Sequence, residues 1–338
     1  IFYMKKESFR GNCINKDFVS RFKESRIFSE LYQKHRDELV LAVRNSYINL
    51  YYNCDSIAKI YANPNQGAKG FKVYINSYYV EEKSDNSTSK LITIDETELI
   101  DKFDLITANS DRRKKTEKQA QEKLFIANNS NASSNWYCID LEYTRSDAHW
   151  RYDIIALSKS APYRVALIEL KYGNKAIGGN SGIRKHVKDF YNFWKNNGID
   201  QLKPDILSIV HALDSLGVYD IPESIKQLSM EDKLYPEFYV VSLDNNCNSE
   251  SGRGNTPKAT MGGYLFKNKW DDPWHTSTSK YSNSKDINQN GDYYDLIKND
   301  HMFKMFFLFS KAKLPNLGIT DILDDSSYDK EELTKFRR

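Results

Sequence analysis

The chain has 338 residues, 40% of them hydrophobic and 28% charged, with a formal net charge of +3. That length suits one large domain or a core with an accessory domain, and the apolar share is enough for a sizeable core. No apolar run is long enough to span a bilayer, which excludes a transmembrane class. A net charge so near zero neither demands nor excludes a nucleic-acid partner; a local basic face would matter more. Cys13, Cys54, Cys138 and Cys247 lie too far apart for a zinc knuckle or a redox motif and read as free thiols. Ile1 to Arg10 lacks a signal-peptide core, and Met4 is a candidate native start after a few extra residues. A soluble, cytoplasmic protein is the expectation. The 23 tyrosines suit strands and half-buried surfaces, and structure accounts for most of them.

In chain order, Asp17 to about Glu38 reads as a helix, with Asp17 as N-cap and Phe18, Phe22, Phe28 and Leu31 near helical spacing. The period then changes. Leu39 to Arg44, Tyr47 to Asn53, Ile57 to Ala62 and Phe71 to Ile75 read as strands of an antiparallel meander. Asn45-Ser46 and Cys54-Asp55-Ser56 stand where tight turns are needed, and Asn63 to Gly67 forms a loop. Glu81 to Ser89 is polar and reads as a loop. Residues 1–110 form this accessory region, and a second unit covers 111–338. It opens on the basic run Arg112, Arg113, Lys114 and Lys115, followed by a helix from about Glu117 to Asn128 with Thr116 and Gln119 as a capping box. Strands follow at Trp136 to Tyr143, Arg151 to Leu157 and Tyr163 to Lys171. After a loop from Gly173 to Gly182, Ser181 to Asn197 reads as a helix. Ile183, Val187, Phe190, Tyr191 and Trp194 form its apolar stripe, and Gly198 ends it. Glu237 to Leu243 is a further core strand, about 244–292 is a long polar excursion, and Met302 to Phe309 is a late strand or a buried helix. No internal repeat or coiled coil is visible.

The segment Val165 to Lys171 is apolar enough for a buried central strand, yet it holds Glu169 and Lys171. Strand side chains alternate, so these two share a face, about 7 Å apart. A buried carboxylate is unfavourable unless paired or bound to a metal. The preceding strand has the same oddity, with Asp153 at the head of Ile154 to Leu157. Two neighbouring strands that each bring an acid into apolar surroundings can build one site. Phosphodiester hydrolysis needs such a site: carboxylates hold a divalent ion, and a lysine beside them orients or deprotonates water or balances charge. The bland alternative is a strand-end ion pair of Glu169 with Lys171.

Asp153, fifteen residues, then Glu169-Leu170-Lys171 resembles the PD-(D/E)XK motif of restriction-endonuclease-like nucleases. The flanking order of helix, three strands and helix is similar too, over roughly residues 112–200. The resemblance implies an α/β fold with a mixed central sheet flanked by helices. It implies Mg²⁺- or Mn²⁺-dependent cleavage of nucleic acid, with DNA the first expectation and RNA the second. Asp153 and Glu169 would then be metal ligands and Lys171 the catalytic lysine. Tyr152 stands where the family name has proline. In the family the first core helix often supplies a glutamate, here Glu117 or Glu122, against the plain reading of each as a solvated helix charge. A homodimer is left open, with no dimer face visible.

Asp140 and Glu142 share one face of the first core strand, as supporting groups or as solvated edge charges. His186 lies beside the apolar stripe of the second helix, either shaping the site or simply on the helix surface. Arg112, Arg113, Lys114, Lys115, Arg184, Lys185 and Lys188 could track a phosphate backbone, although such runs are usually solvated faces. The amides of Gly178 to Gly182 could bind phosphate or merely connect, and the loop lacks the lysine-serine ending of a P-loop. His149 and His275 lack partners at zinc spacing, and no nucleophile elbow is present. The rival functions are a catalytically inactive nuclease-like fold that binds nucleic acid or a partner, and a structural protein whose acids only form ion pairs.

Overall fold

Phe18 and Phe22, one turn apart, anchor the first helix. A computed structural model describes residues 14–62, 70–81, 90–174, 177, 182–246, 256–262, 297 and 300–333. Helix α1 (Lys16–Glu24) buries Phe18 and Phe22. Its N-cap is Asn15, whose side chain accepts the Phe18 N–H at 2.8 Å; Asp17 sits inside the first turn instead, where its charge suits the helix dipole. The single helix expected over 17–38 is in fact interrupted. The Ser25 hydroxyl donates to Phe22 O at 2.6 Å and its backbone is extended, which stops α1. A π-helical turn, Ile27–Tyr32, follows.

Five strands then form an antiparallel meander in sequence order: β1 (Val40–Arg44), β2 (Tyr47–Tyr52), β3 (Asp55–Ala62), β4 (Phe71–Asn76) and β5 (Leu91–Ile94). The β2–β3 turn is Asn53-Cys54, both with positive φ, rather than Cys54 to Ser56. Strand β5 and the helices α2 (Glu96–Asp101) and α3 (Phe103–Arg112) were not expected from the sequence. The expected loops at 63–67 and 82–89 lie outside the described residues.

The rest of the chain builds a second, mixed sheet. Helix α4 (Thr116–Ser130) leads into β6 (Trp136–Arg145), β7 (Trp150–Ser158) and β8 (Arg164–Tyr172). The expected capping box does not form: Lys115 is the N-cap and Thr116 is already helical, with no side-chain cap bond. Helices α5 (Ile183–Lys195) and α6 (Gly198–Leu216) cross over to β9 (Tyr235–Leu243), with the single turn α7 (Glu223–Lys226) on the way. Gly198 does not end a helix; it begins α6, and Asn197, at φ 49°, makes the joint. A Cβ on Gly198 would stand 2.6 Å from Phe193 Cε2, so only glycine fits this close approach. The short α8 (Pro257–Gly262) precedes β10 (Met305–Phe309) and β11 (Asp329–Glu332), so the 302–309 segment is a strand. Most of the expected polar excursion lies outside the described residues.

The six strands are ordered β11-β10-β9-β8-β7-β6. The β6–β7, β7–β8 and β10–β11 pairs are antiparallel, whereas β8–β9 and β9–β10 are parallel. One face packs Ile154, Ile168 and Val241 against Leu124 and Phe125 of α4. The other packs Tyr152, Leu167 and Phe238 against Phe190 and Phe193 of α5 and against α6. The protein is thus mixed α/β, and β8 lies buried between helical layers, as its apolar sequence requires. Among the described residues no helix is long and apolar enough to cross a membrane.

The two sheets meet through β1 and β6. Arg44, buried, donates to Asp140 Oδ1 at 2.6 Å, to Val43 O at 2.8 Å and to the carbonyl of Leu141. A second joint is Glu122 on α4. Its two carboxylate oxygens accept the N–H groups of Asn53 (2.9 Å) and Cys54 (2.6 Å), which closes the left-handed turn onto the helix.

Candidate active site

Strands β7 and β8 stay paired from Leu157↔Val165 to Ile154↔Ile168 and then diverge. Divergence leaves main-chain groups without ladder partners, and side chains take over. The Leu170 N–H donates to Asp153 Oδ2 at 2.7 Å, and Gln121 of α4 donates to Asp153 O at 2.7 Å. Asp153 therefore sits at the fork of two central strands, held by β8 itself.

Glu169 and Lys171 share one face of β8, and Lys171 Nζ donates to Glu169 Oε1 at 2.6 Å. From α5, His186 Nε2 approaches the same oxygen at 3.0 Å. From the first turn of α4, Glu117 Oε2 accepts the Tyr172 N–H at 3.3 Å. From β6, the pairs Leu141↔Ile154 and Tyr143↔Tyr152 set Glu142 opposite Asp153. Glu142 Oε2 lies 3.3 Å from Lys118 Nζ and 3.4 Å from an Arg151 guanidinium nitrogen. Cys54 Sγ contacts Glu142 Oε1 at 3.8 Å. Five secondary elements thus converge on one end of the sheet.

Electrostatics set these acids apart. Burial, then the Glu169 and Glu142 carboxylates, push Asp153 well above the usual carboxylate range. Burial would push Glu169 up as well, but His186 and Lys171 together hold it below its ordinary value. Glu117 is raised, first by burial and also by Glu169. Burial acts to lower Lys171, and its neighbours Glu169 and Glu117 more than offset this, so the amine stays a cation at neutral pH. One acid that prefers a proton beside one that prefers charge is a frequent signature of chemistry.

The expected ion pair of Glu169 with Lys171 is present, but Asp153 is not paired with a lysine or arginine among the described residues. As the side chains stand, no three His, Cys, Asp or Glu groups among the described residues converge closely enough to hold a metal ion. Lys171 and His186 occupy Glu169 Oε1, leaving Asp153 Oδ1 and Glu169 Oε2 as the open oxygens of the pair. Carboxylate oxygens suit a hard divalent ion, which keeps several waters. A cation would also offset both the burial and the Glu169 and Glu142 charges that raise Asp153. By donor chemistry, two carboxylate oxygens are the kind of ligand a divalent ion takes.

Other residues singled out from the sequence are committed elsewhere. The Asp140 carboxylate belongs to Arg44, and Glu122 belongs to the Asn53-Cys54 turn; each holds the fold together rather than pointing at the fork. Arg113 and Lys115 lie 3.2 and 3.0 Å from the buried Asp55, so neither is a free phosphate contact. Arg112 is exposed and donates to Asn109, and Lys114 is exposed. Lys185 pairs with Asp189 at 2.8 Å, and Lys188 is half-buried on α5. The side chain of Arg184 and the loop 178–181 lie outside the described residues. Sequence reasoning missed Gln121, Lys118 and Arg151. Only the alternation of Arg151 with Asp153 hinted at any of them. No family model, curated protein or solved structure matches the chain.

Proposed function

We propose that the chain is a metal-dependent nuclease with a restriction-endonuclease-like core, hydrolysing phosphodiester bonds of DNA rather than RNA. The observation that carries this reading is the meeting of Asp153, Glu169 and Lys171 where β7 and β8 fork, with Glu117 and His186 brought in by the flanking helices. The support is geometric and chemical: buried acids of opposite protonation preference stand beside a fixed ammonium group.

In this reading Asp153 and Glu169 hold Mg²⁺ or Mn²⁺, which supplies a polarised water and Lewis-acid charge when bound. Lys171 stays protonated, so its role is to orient the phosphate and offset charge in the transition state, not to abstract a proton. Glu117, raised first by burial and close enough to Lys171 to feel its charge, would take the proton of the attacking water. His186 fixes one oxygen of Glu169 and leaves the other for the ion.

The test is cleavage of plasmid and single-stranded DNA with Mg²⁺ or Mn²⁺, comparing wild type with Lys171→Ala. We expect metal-dependent cutting that the variant loses while keeping its fold. Full activity in the variant would remove the mechanism. The occupation of Glu169 Oε1 by both Lys171 and His186 favours one alternative, an inactive nuclease-like fold that only binds nucleic acid. Calorimetric titration with Mn²⁺ separates the two, because the inactive form binds the ion weakly or not at all.

A further inference from the structure

The five-stranded sheet has two unlike faces. Ile48, Leu50, Ile60, Val73 and Ile75 point inward and are fully buried. The alternate positions of β2, β3 and β4 carry Tyr47, Lys59, Tyr61, Lys72 and Tyr74, all half-buried. The ladder places Lys59 opposite Tyr74 and Lys72 opposite Tyr61. Tyr47 and Tyr61 stack with centroids 4.7 Å apart, and Tyr61 meets Tyr74 edge to face at 5.3 Å. Lys59 Nζ lies 6.0 Å from the Tyr47 ring centre, and Lys72 Nζ lies 5.2 Å from that of Tyr74.

Cross-strand aromatic pairs stabilise any sheet and would explain two adjacent tyrosines. They do not explain the charge pattern. Asn49, Leu91 and Thr93 fill out this face, so its strand positions hold cations and no acid. Among the described residues neither Lys59 nor Lys72 has a carboxylate partner. An aromatic strip flanked by unpaired ammonium groups matches a ligand with flat π-faces on an anionic backbone. Bases in a duplex hide those faces, whereas an unpaired strand offers them.

The strip is joined to the second sheet through β1. Arg44, opposite Tyr47 in the ladder, reaches Asp140 and the carbonyl of Leu141 on β6. The next residue, Glu142, stands opposite Asp153.

We propose that the Tyr47–Tyr61–Tyr74 face, with Lys59 and Lys72, binds single-stranded DNA and delivers it to the fork of β7 and β8. The delivery half rests on the nuclease reading; the binding half does not. The bases lie against the tyrosine rings, and the two lysines turn to adjacent phosphates.

The test is fluorescence anisotropy with a labelled single-stranded mixed-sequence DNA of twenty nucleotides, in EDTA so that nothing is cut. Tyr47→Ala and Tyr61→Ala are each expected to weaken binding about fivefold or more, the low end for loss of one base–aromatic stack. Tyr61→Phe keeps the ring and should bind as wild type, and urea unfolding of the alanine variants separates lost stacking from lost fold. The double variant Lys59→Gln/Lys72→Gln should reduce the slope of log affinity against log salt by about 1.4. Tighter binding of duplex or of single-stranded RNA overturns the assignment, as does unchanged affinity in both alanine variants. If the strip variants lose binding yet wild type cuts nothing, the nuclease reading fails and the binding face stands. If wild type cuts with metal and the strip variants bind and cut unchanged, the binding face fails and the nuclease stands.

Discussion

Replacing Asp140 by alanine tests whether the two sheets are joined by a buried charge. The Arg44 and Asp140 side chains are 7% and 0% exposed, so water screens neither. Burial alone would lower Arg44, yet Asp140 and Tyr51 hold its guanidinium firmly charged. Without Asp140 that cation would keep only neutral acceptors: Val43 O, Tyr51 Oη and Leu141 O. Breaking a buried pair by removing one partner typically costs about 3–5 kcal/mol, because the survivor stays charged and desolvated. Replacing both partners with apolar groups is often neutral, so Arg44→Met/Asp140→Leu should recover most of that loss. Urea unfolding of the two single variants and the double variant gives the coupling directly. Cleavage per folded molecule should be unchanged in Asp140→Asn, because this carboxylate serves Arg44. A loss below about 1 kcal/mol in Asp140→Ala, or no recovery in the double variant, would refute the reasoning.

Glu122 makes stability depend on pH. Burial raises its carboxyl from 4.5 to about 8, so the folded state holds the proton more tightly than the unfolded chain. Its contribution is full below about pH 4.5 and is lost as pH rises through 8, up to roughly 4–5 kcal/mol at about 1.4 kcal/mol per decade. Relative to Glu122→Gln, wild type should therefore lose denaturation midpoint steadily between pH 5 and 8, and parallel curves would contradict the burial argument. Gly198→Ala should destabilise by about 1–3 kcal/mol through its clash with the Phe193 ring, and Phe193→Leu should relieve part of this; an additive double variant would count against a direct contact. His186→Ala should slow metal-dependent cleavage about 10–100-fold, as loss of a group that orients a metal ligand usually does, and a change within twofold would assign His186 to the helix surface.

The core strands were legible because a buried central strand leaves a strong trace. The segments expected at 136–143, 151–157 and 163–171 became β6, β7 and β8 with ends shifted by at most two residues. Helix α6 was not legible, because it opens on Gly198 and contains Pro204, both of which normally mark an end. Asn197 absorbs the sharp joint, and Pro204 lines an open groove of about 960 Å³ beside α1, where a lost helical bond can be met by water. Helix α3 escaped for a different reason. Its buried stripe runs Phe103, Ile106, Asn109 and Ser110, so half of it is polar. Asn109 is buried because its amide donates to Tyr78 O, Tyr79 O and Glu81 O, partners that only the tertiary fold supplies.

The candidate site shows the same division. Asp153, Glu169 and Lys171 stood out because ionisable groups in apolar strands violate the local pattern, and period-two alternation alone placed two of them together. Alternation cannot tell which acids are already spent. Asp140 and Glu142 also interrupt an apolar run, and Glu122 lies on the core helix, yet Asp140 and Glu122 are bound by groups from β1 and the β2–β3 turn, more than sixty residues away. Nor can it show that β7 and β8 part company at Asp153. That fork turns a carboxylate that would otherwise be a solvated strand end into the acceptor for Leu170 N–H, with one oxygen left over. The N-terminal sheet thus ties up Asp140 of β6 and Glu122 of α4 as joints of the fold, whereas Asp153 and Glu169, on β7 and β8, each keep an oxygen that no such joint uses.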